Sequence, residues 1–279
     1  MTENINCCII AIQRYEPYIK YWLDYHLKWG FSHIFLLDNN DYGDELKLDG
    51  KYSSQVTVLP CNKIENIFDK HHFYQPQLYN GVLDYVRGQN THYYSYTHCL
   101  VIDIDEYFYT PLYDNVNDFI KNHMKEDTLP ILWKNYGDGD FIYIKDLPSN
   151  NPIESYTKEA TNKFNVAIEP KSFAVIDENT TLNVHWHNNK LGENLLSDEN
   201  IACIKHYRTG CVEEYVMKNK FRRLSTAPYW YNNGESNLMV YFNYNTITNE
   251  KLDAFVELYK KYGIEMSEGD KHFVETNRQ

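Results

Sequence analysis

The first forty residues alternate in a way that leaves few folds open. Residues 6–12 are a short apolar run suited to a strand buried on both faces. Residues 18–29 then carry helical periodicity, with Pro17 near the start and Gly30 at the end. A second apolar run, residues 32–37, follows at once and stops at Asp38-Asn39-Asn40-Asp41. Strand, helix and strand joined by tight connections make a βαβ unit, and such a unit implies a parallel sheet with a right-handed crossover.

The rest of the chain keeps this alternation. Residues 56–60 read as a third strand, 74–87 as a helix whose beginning is limited by Pro76, and 98–104 as a fourth strand of nearly unbroken apolar character. Helical spacing returns over 114–125 and an extended run over 129–133, before the turn residues Gly137-Asp138-Gly139-Asp140. Residues 146–163 are polar, contain Pro148 and Pro152, and are expected to form a surface loop over a ligand. Two more strands are expected at 173–176 and 181–186, around a turn at Glu178-Asn179, and two helices at 212–223 and 249–262. The fold class is therefore α/β. One domain over residues 1–225 is expected, with a C-terminal extension, 226–279, packed on it.

Composition narrows the function. A formal charge of -12, from 27 basic and 39 acidic residues, argues against a phosphate-backbone binder, since nucleic-acid affinity comes mainly from Lys and Arg releasing counterions. An anionic ligand then needs local help from a bound cation, a helix N-terminus or a basic cluster. The six cysteines include no C-x-x-C pair, so neither a zinc ribbon nor a disulfide framework is indicated. Residues 1–12 lack the basic and long apolar regions of a signal peptide, and no apolar run approaches the roughly 20 residues that span a bilayer. A cytoplasmic location is the expectation. The 26 tyrosines exceed what a core needs, which places flat amphipathic rings at the surface or along a cleft.

The residues with the clearest chemistry lie in Leu100-Val101-Ile102-Asp103-Ile104-Asp105-Glu106. An apolar strand ends there in carboxylates, and the strand period of two is expected to send Asp103 and Asp105 to the same side. In an open α/β sheet the crevice beyond the carboxyl ends of the strands binds ligands, and paired carboxylates there suit Mg(II) or Mn(II). An isolated D-x-D is more often a solvated turn or helix cap, so context decides.

The context resembles the glycosyltransferases of the GT-A fold, in particular the family 92 and family 2-like bacterial enzymes, over roughly residues 7–223. Their Y-I-x-E-W-x-x-Y-H-x-x-x-G helix is similar to Tyr18-Ile19-Lys20-Tyr21-Trp22-Leu23-Asp24-Tyr25-His26 with Gly30. Their D-N-x-S-x-D resembles Asp38-Asn39-Asn40-Asp41, their Y-N resembles Tyr79-Asn80, and their D-x-D-E-F resembles residues 103–107. W-R-x-F-G is matched by Trp133-Lys134-Asn135-Tyr136-Gly137, and H-Y with E-E-F by His206-Tyr207 with Glu213-Glu214-Tyr215. Where these families carry K-N-E after the first strand, this chain has Gln13-Arg14-Tyr15-Glu16.

The resemblance implies a metal-dependent transfer of a sugar from a nucleotide-diphosphate donor, with a UDP sugar expected, to a hydroxyl of a saccharide or lipid-linked saccharide. Asp103 and Asp105 would hold Mn(II) or Mg(II), with His185 or His206 completing the shell and His187 a weaker candidate. Asp38, Asn80, Arg14 and Asp103 would contact the donor. An inverting reaction would use Asp138 or Asp140 as general base, although Gly137-Asp138-Gly139-Asp140 also reads as a plain tight turn. Lys205, Arg208, Lys218, Lys220, Arg222 and Arg223 form the densest basic region, suited to a donor diphosphate or to peripheral contact with an anionic membrane surface, or to a solvated helix face balanced by Glu213 and Glu214. Trp133 with Tyr136, and Tyr229-Trp230-Tyr231, are candidates for stacking on sugar rings or for packing in the core. The rivals are a catalytically silent sugar-binding protein of the same fold and a metal-dependent phosphohydrolase.

Overall fold

The computed structural model describes residues 5–61, 75–89, 96–161, 169–190, 193–221 and 236–278. The chain divides into two units. The first comprises Met1–Lys134 with Ile168–Lys205, and the second Asn135–Ala167 with His206–Gln279. The domain boundary expected at residue 225 lies outside the described residues, as do Arg222, Arg223 and the Tyr229-Trp230-Tyr231 cluster.

In the first unit, β1 (Cys7–Gln13), α1 (Ile19–Lys28) and β2 (His33–Asp38) form the βαβ unit expected from the sequence. Cys7 through Ala11 are all fully buried, which explains an unbroken apolar run in place of an alternating one. Gly30, at φ +86°, ends the helix in the left-handed region, and a Cβ there would lie 2.2 Å from the Asn115 side chain. That amide is occupied in capping α3 (Val116–His123), where its Oδ1 accepts from Asn117 N–H. A glycine therefore serves both the turn and its neighbour.

The alternation continues through β3 (Val56–Pro60), α2 (Gln75–Gln89), β4 (His98–Val101), β5 (Glu106–Tyr109), β6 (Thr128–Asn135), the short α4 (Pro152–Ser155), β7 (Pro170–Val175) and β8 (Cys203–His206). All eight strands form one sheet in the order β3-β2-β1-β4-β7-β6-β8-β5. It is parallel across β3, β2, β1 and β4, with Cys8 opposite His33 and Ile9 opposite Leu100, and antiparallel at β4–β7 and β7–β6. The α/β architecture implied by the resemblance is present. Leu78, Tyr79, Val82, Leu83 and Val86 of α2 bury one helix face against Cys8, Ile10, Phe35, Leu37 and Val101 of the parallel strands. Burial of each such side chain stabilises the fold by about 1.5–3 kcal/mol.

Three expectations about elements fail for local reasons. The fourth strand stops at Val101, short of the acidic residues. Residues 181–186 are not a strand, because their polar atoms bond elsewhere: Leu182 N–H to Asn80 Oδ1, Thr181 N–H to Asn188 Oδ1, and His185 C=O to the Ser172 hydroxyl. β8 was not anticipated, since its four residues carry only two apolar side chains.

The second unit holds α5 (Val212–Phe221), α6 (Asn237–Tyr244), α7 (Asn249–Lys261) and α8 (Glu268–Asn277), together with α4. Ser236, Thr248 and Ser267 cap the last three helices through their hydroxyls. Val216, Leu238, Tyr241, Phe255 and Leu258 form the centre of its core. Helices α6 and α8 were not expected, the first because its asparagines and aromatics mask a helical period. Among the described residues no helix is long and apolar enough to cross a membrane.

Two buried histidines give the first unit a pH dependence. His26 Nδ1 lies 2.9 Å from Trp22 C=O and Phe108 N–H points at Nε2, which requires a neutral ring. Burial pushes its pKa down to about 3. His187 accepts from Asn183 N–H at Nδ1 and donates to Ser172 C=O from Nε2, and burial lowers it to about 4. Below the unfolded value of about 6.5 the unfolded chain binds protons that the folded one refuses, so their contribution is complete above that pH and is lost as pH falls toward about 4. At pH 5 each should reduce stability by roughly 2 kcal/mol. Urea unfolding at pH 7.5 and 5, with ring chemical shifts showing both histidines still neutral at pH 5, checks this.

Candidate functional site

The turn after β4 is made by the acidic residues themselves. Glu106 N–H donates to Asp103 C=O at 3.1 Å, while Asp103 N–H donates to Glu106 Oε2 at 2.9 Å. These reciprocal bonds end the strand and reverse the local direction before β5. The period-two argument for Asp103 and Asp105 is thereby corrected: neither residue is in a strand, and it is the turn that carries both at the carboxyl end of β4.

Lys171 of β7 completes the group. Its side chain is fully buried, with Nζ 2.9 Å from Asp103 Oδ2 and 3.5 Å from Glu106 Oε2. Burial alone would discharge this ammonium, but Asp103 and Glu106 hold its pKa above the ordinary lysine range. Glu106 is also fully buried; burial raises its pKa well above normal against the opposing pull of Lys171. The Trp133 ring centre lies 5.9 Å from Nζ. Tyr79 is fully buried on α2, and its hydroxyl has no hydrogen-bond partner among the described residues. Burial first, then Asp103 and Glu106, raise its pKa. Asp103, about one-third exposed at its side chain, is the point where this group meets solvent.

The other expected residues of the first unit are held by their own loops. Buried Asp38 accepts from Gln13 Nε2, from Asn40 N–H at 3.1 Å and from Leu46 N–H at 2.7 Å. Asn80 ties α2 to residue 182, donating to Pro76 and Leu182 C=O and accepting from Leu182 N–H. Arg14 donates to Asn39 C=O at 2.6 Å and to Asp41 Oδ1 at 3.0 Å. His185 has Nε2 2.9 Å from Glu169 and Nδ1 3.1 Å from Pro170 C=O; burial and then Lys171 lower its pKa, against the pull of Glu169. Lys205 lies over the Tyr109 ring at 3.8 Å.

In the second unit, the Gly137-Asp138-Gly139-Asp140 turn is built inward. A Cβ at Gly137 would sit 2.8 Å from Asn245 Oδ1, and Gly139 and Asp140 both adopt positive φ, +64° and +70°. Asp138 is buried: Oδ2 accepts from Tyr241 at 2.6 Å and pairs with Lys251 at 2.6 Å, while Oδ1 accepts from Asp140 N–H. Asp140 is mostly exposed and pairs with Lys158, which pulls its pKa down. His206 Nδ1 lies 3.0 Å from Asn135 Oδ1, and Tyr136 stacks on Tyr207 at 4.9 Å. Arg208 packs against Tyr244, and Lys220 lies 5.9 Å from the Tyr262 ring centre.

The structure thus brings Asp103 and Glu106 together around Lys171, and joins Asp138, Asp140 and Lys251 in a separate group. Sequence reasoning missed Lys171 and Lys251. A charged residue inside the apolar Pro-Lys-Ser-Phe-Ala-Val strand was the signal for the first.

A turn rich in carboxylates at the carboxyl end of a parallel strand defines the class: an α/β protein with an acidic turn beyond its sheet. No family model matches the chain. It is similar to a glycosyltransferase family 92 protein of Ricinus communis, 24% identical over 234 residues, covering 79% of this chain and 38% of that protein. That relative bears the family name that the six motifs resemble. The chain thus spans less than half of its relative's length. Among solved structures, a Mn/GDP form of core-mannan synthase A from Aspergillus fumigatus aligns over 63% of this chain and 60% of that one, at 8% identity and a TM-score of 0.26, a likeness too slight to carry an argument.

The Asp138–Lys251 pair should behave as structural. Lys251 and Asp138 are only 3% and 4% exposed at their side chains, so removing the ammonium strands a buried carboxylate. Lys251→Met is expected to destabilise the protein by roughly 3 kcal/mol, measured by urea unfolding, whereas Lys158→Met, at an exposed pair, should leave the unfolding midpoint nearly unchanged.

Proposed function

We propose that this chain is the sugar-transferring part of a metal-dependent glycosyltransferase, taking a nucleotide-diphosphate sugar, in particular a UDP sugar, as donor and a saccharide hydroxyl as acceptor. The observation that carries the reading is the acidic turn itself, Asp103 to Glu106, standing at the carboxyl end of β4 in the parallel half of the sheet. The family of the Ricinus communis relative supports it.

The donor set suits a hard divalent cation. Asp103 and Asp105 offer carboxylate oxygens, the ligand type chosen by Mg(II) and Mn(II), and the buried Tyr79 hydroxyl supplies a further polar atom toward the same acidic turn. When bound, the cation would act as a Lewis acid on the departing diphosphate. Asp103 and Asp105 would hold it. His185 or His206 would serve as a further ligand, and His185 already has Glu169 and Pro170 C=O at its two ring nitrogens. Asp38, Asn80 and Arg14 would serve the donor by shaping the loops they bond to, presenting backbone groups to the nucleotide.

Of the two aspartates expected as base, Asp140 is preferred. Asp138 already receives Tyr241 and Lys251, while the Asp140 carboxylate reaches solvent. A general base must accept a proton from the attacking hydroxyl, and a carboxylate filled by buried donors has little capacity for one.

Two measurements test the reading. Calorimetric titration with UDP sugars should give binding in Mn(II) or Mg(II) that EDTA abolishes, and Asp105→Asn should abolish it too while leaving the far-ultraviolet spectrum unchanged. Equal affinity with and without the cation would sink the metal role. In a transfer assay, Asp140→Asn should lower turnover about a hundredfold to ten-thousandfold with donor affinity nearly unchanged. A mild loss would return this residue to an ordinary turn.

A further inference from the structure

We infer that Lys171 is a resident counter-charge for the acidic turn: a protein cation that holds Asp103 and Glu106 in place so that the turn persists when no metal is bound. The inference deepens the metal-dependent reading above and rests on it. Three carboxylates lie within four consecutive positions, and carboxylates so close repel one another unless a positive group intervenes. Lys171 is that group. It comes from β7, antiparallel to β4, and its Nζ reaches Asp103 and Glu106 with no exposure to solvent.

The arrangement is not explained by packing alone. A lysine in a buried strand position loses its hydration, a loss that only a close, well-oriented partner offsets, and an apolar residue of similar volume would avoid it. Here the ammonium meets the oxygens that define the turn: Glu106 Oε2 also accepts Asp103 N–H, so Lys171 and the turn's own backbone share one acceptor. Lys171 is therefore a positioning residue. It fixes Asp103 through Oδ2 and lies close enough to Asp105 to feel its charge as well.

This has a consequence that a purely structural lysine would not produce. If the ammonium is removed, the turn loses the counter-charge that the protein supplies, and binding of a divalent cation then stabilises the fold by more than in the parent protein. The test compares melting temperatures of the full chain, parent, Lys171→Met and Lys171→Arg, in EDTA and in millimolar MnCl2, without nucleotide. Lys171→Met is expected to melt lower in EDTA, and its Mn(II)-induced rise should exceed the parent's by at least about 3 °C. Lys171→Arg, which keeps the charge, should show a rise close to the parent's. A Lys171→Met variant that folds only in Mn(II) is the same result in stronger form. Equal or smaller rises in Lys171→Met, including no rise in either protein, overturn the inference.

Should Lys171→Met not fold in either condition, the paired variant Lys171→Met/Asp103→Asn removes the stranded charge along with its partner. It should fold and lose the excess response to Mn(II). A paired variant that stays unfolded, or that keeps the excess, also overturns the inference. The reading of function is separated by the parent protein alone: if its UDP-sugar binding is indifferent to Mn(II) while Lys171→Met still gains the larger rise, the counter-charge stands and the metal-dependent reaction falls.

Discussion

The contact on which the acidic turn depends is a buried ammonium set between two carboxylates. Lys171 is placed by β7, Asp103 and Glu106 by the turn between β4 and β5, and none of these segments alone could keep its charge in the sheet. A buried ion pair adds little net stability when compared with apolar packing, but breaking one side of it is expensive. Such a contact therefore specifies an arrangement more than it strengthens one. It forces β7 to lie antiparallel beside β4 in one register, Leu100 opposite Phe173, and so fixes where the parallel half of the sheet ends.

The second unit solves a similar problem with different chemistry. Asp138 is buried between Tyr241 and Lys251; Asn245 and the Tyr244 carbonyl leave no room for a side chain at Gly137, and Gly139 adopts a positive φ. In the first unit the charged group meets solvent through Asp103, whereas in the second it turns inward and only Asp140 emerges. Similar residue types, aspartates closing a short acidic turn, are thus a solvent-facing group in one place and a brace in the other.

Much of the fold was legible because burial on both faces of a sheet leaves a plain signature. β1, β2 and β4 appear as unbroken apolar runs, and Gly30 marked the end of α1 through the same positive φ that the structure shows. What escaped had weaker periodicity. β8 has four residues, α6 mixes asparagine with aromatics, and residues 181–186 looked extended although side-chain amides and a hydroxyl take up their backbone groups. At the candidate site, the acidic residues were visible and their geometry was not: alternation along a strand was assumed, and Glu106 instead folds back on Asp103 N–H. Lys171 and Lys251 escaped because pairing across long stretches of chain leaves no local pattern. The same holds for Asp38 and Asn80, whose side chains proved to serve loops that only the tertiary structure defines.

The separation of Lys171 from its partner along the chain also bears on how the protein is made. Asp103 and Lys171 are 68 residues apart, and the antiparallel pairing of β7 with β4, Leu100 opposite Phe173, spans a slightly longer interval. The parallel β1, β2, β3 and β4 can assemble from residues synthesised earlier, yet the end of that sheet carries an uncompensated acidic turn until β7 arrives. Contacts of such long sequence separation form late because the chain entropy they consume is spent before they return anything. During that interval β4 presents an unpaired strand edge beside a cluster of negative charge, and like charges are among the means by which exposed edges avoid pairing with other chains. The acidic turn that awaits its lysine would thus act as a guard on the nascent sheet, repelling a second copy of the chain until its own β7 closes the edge.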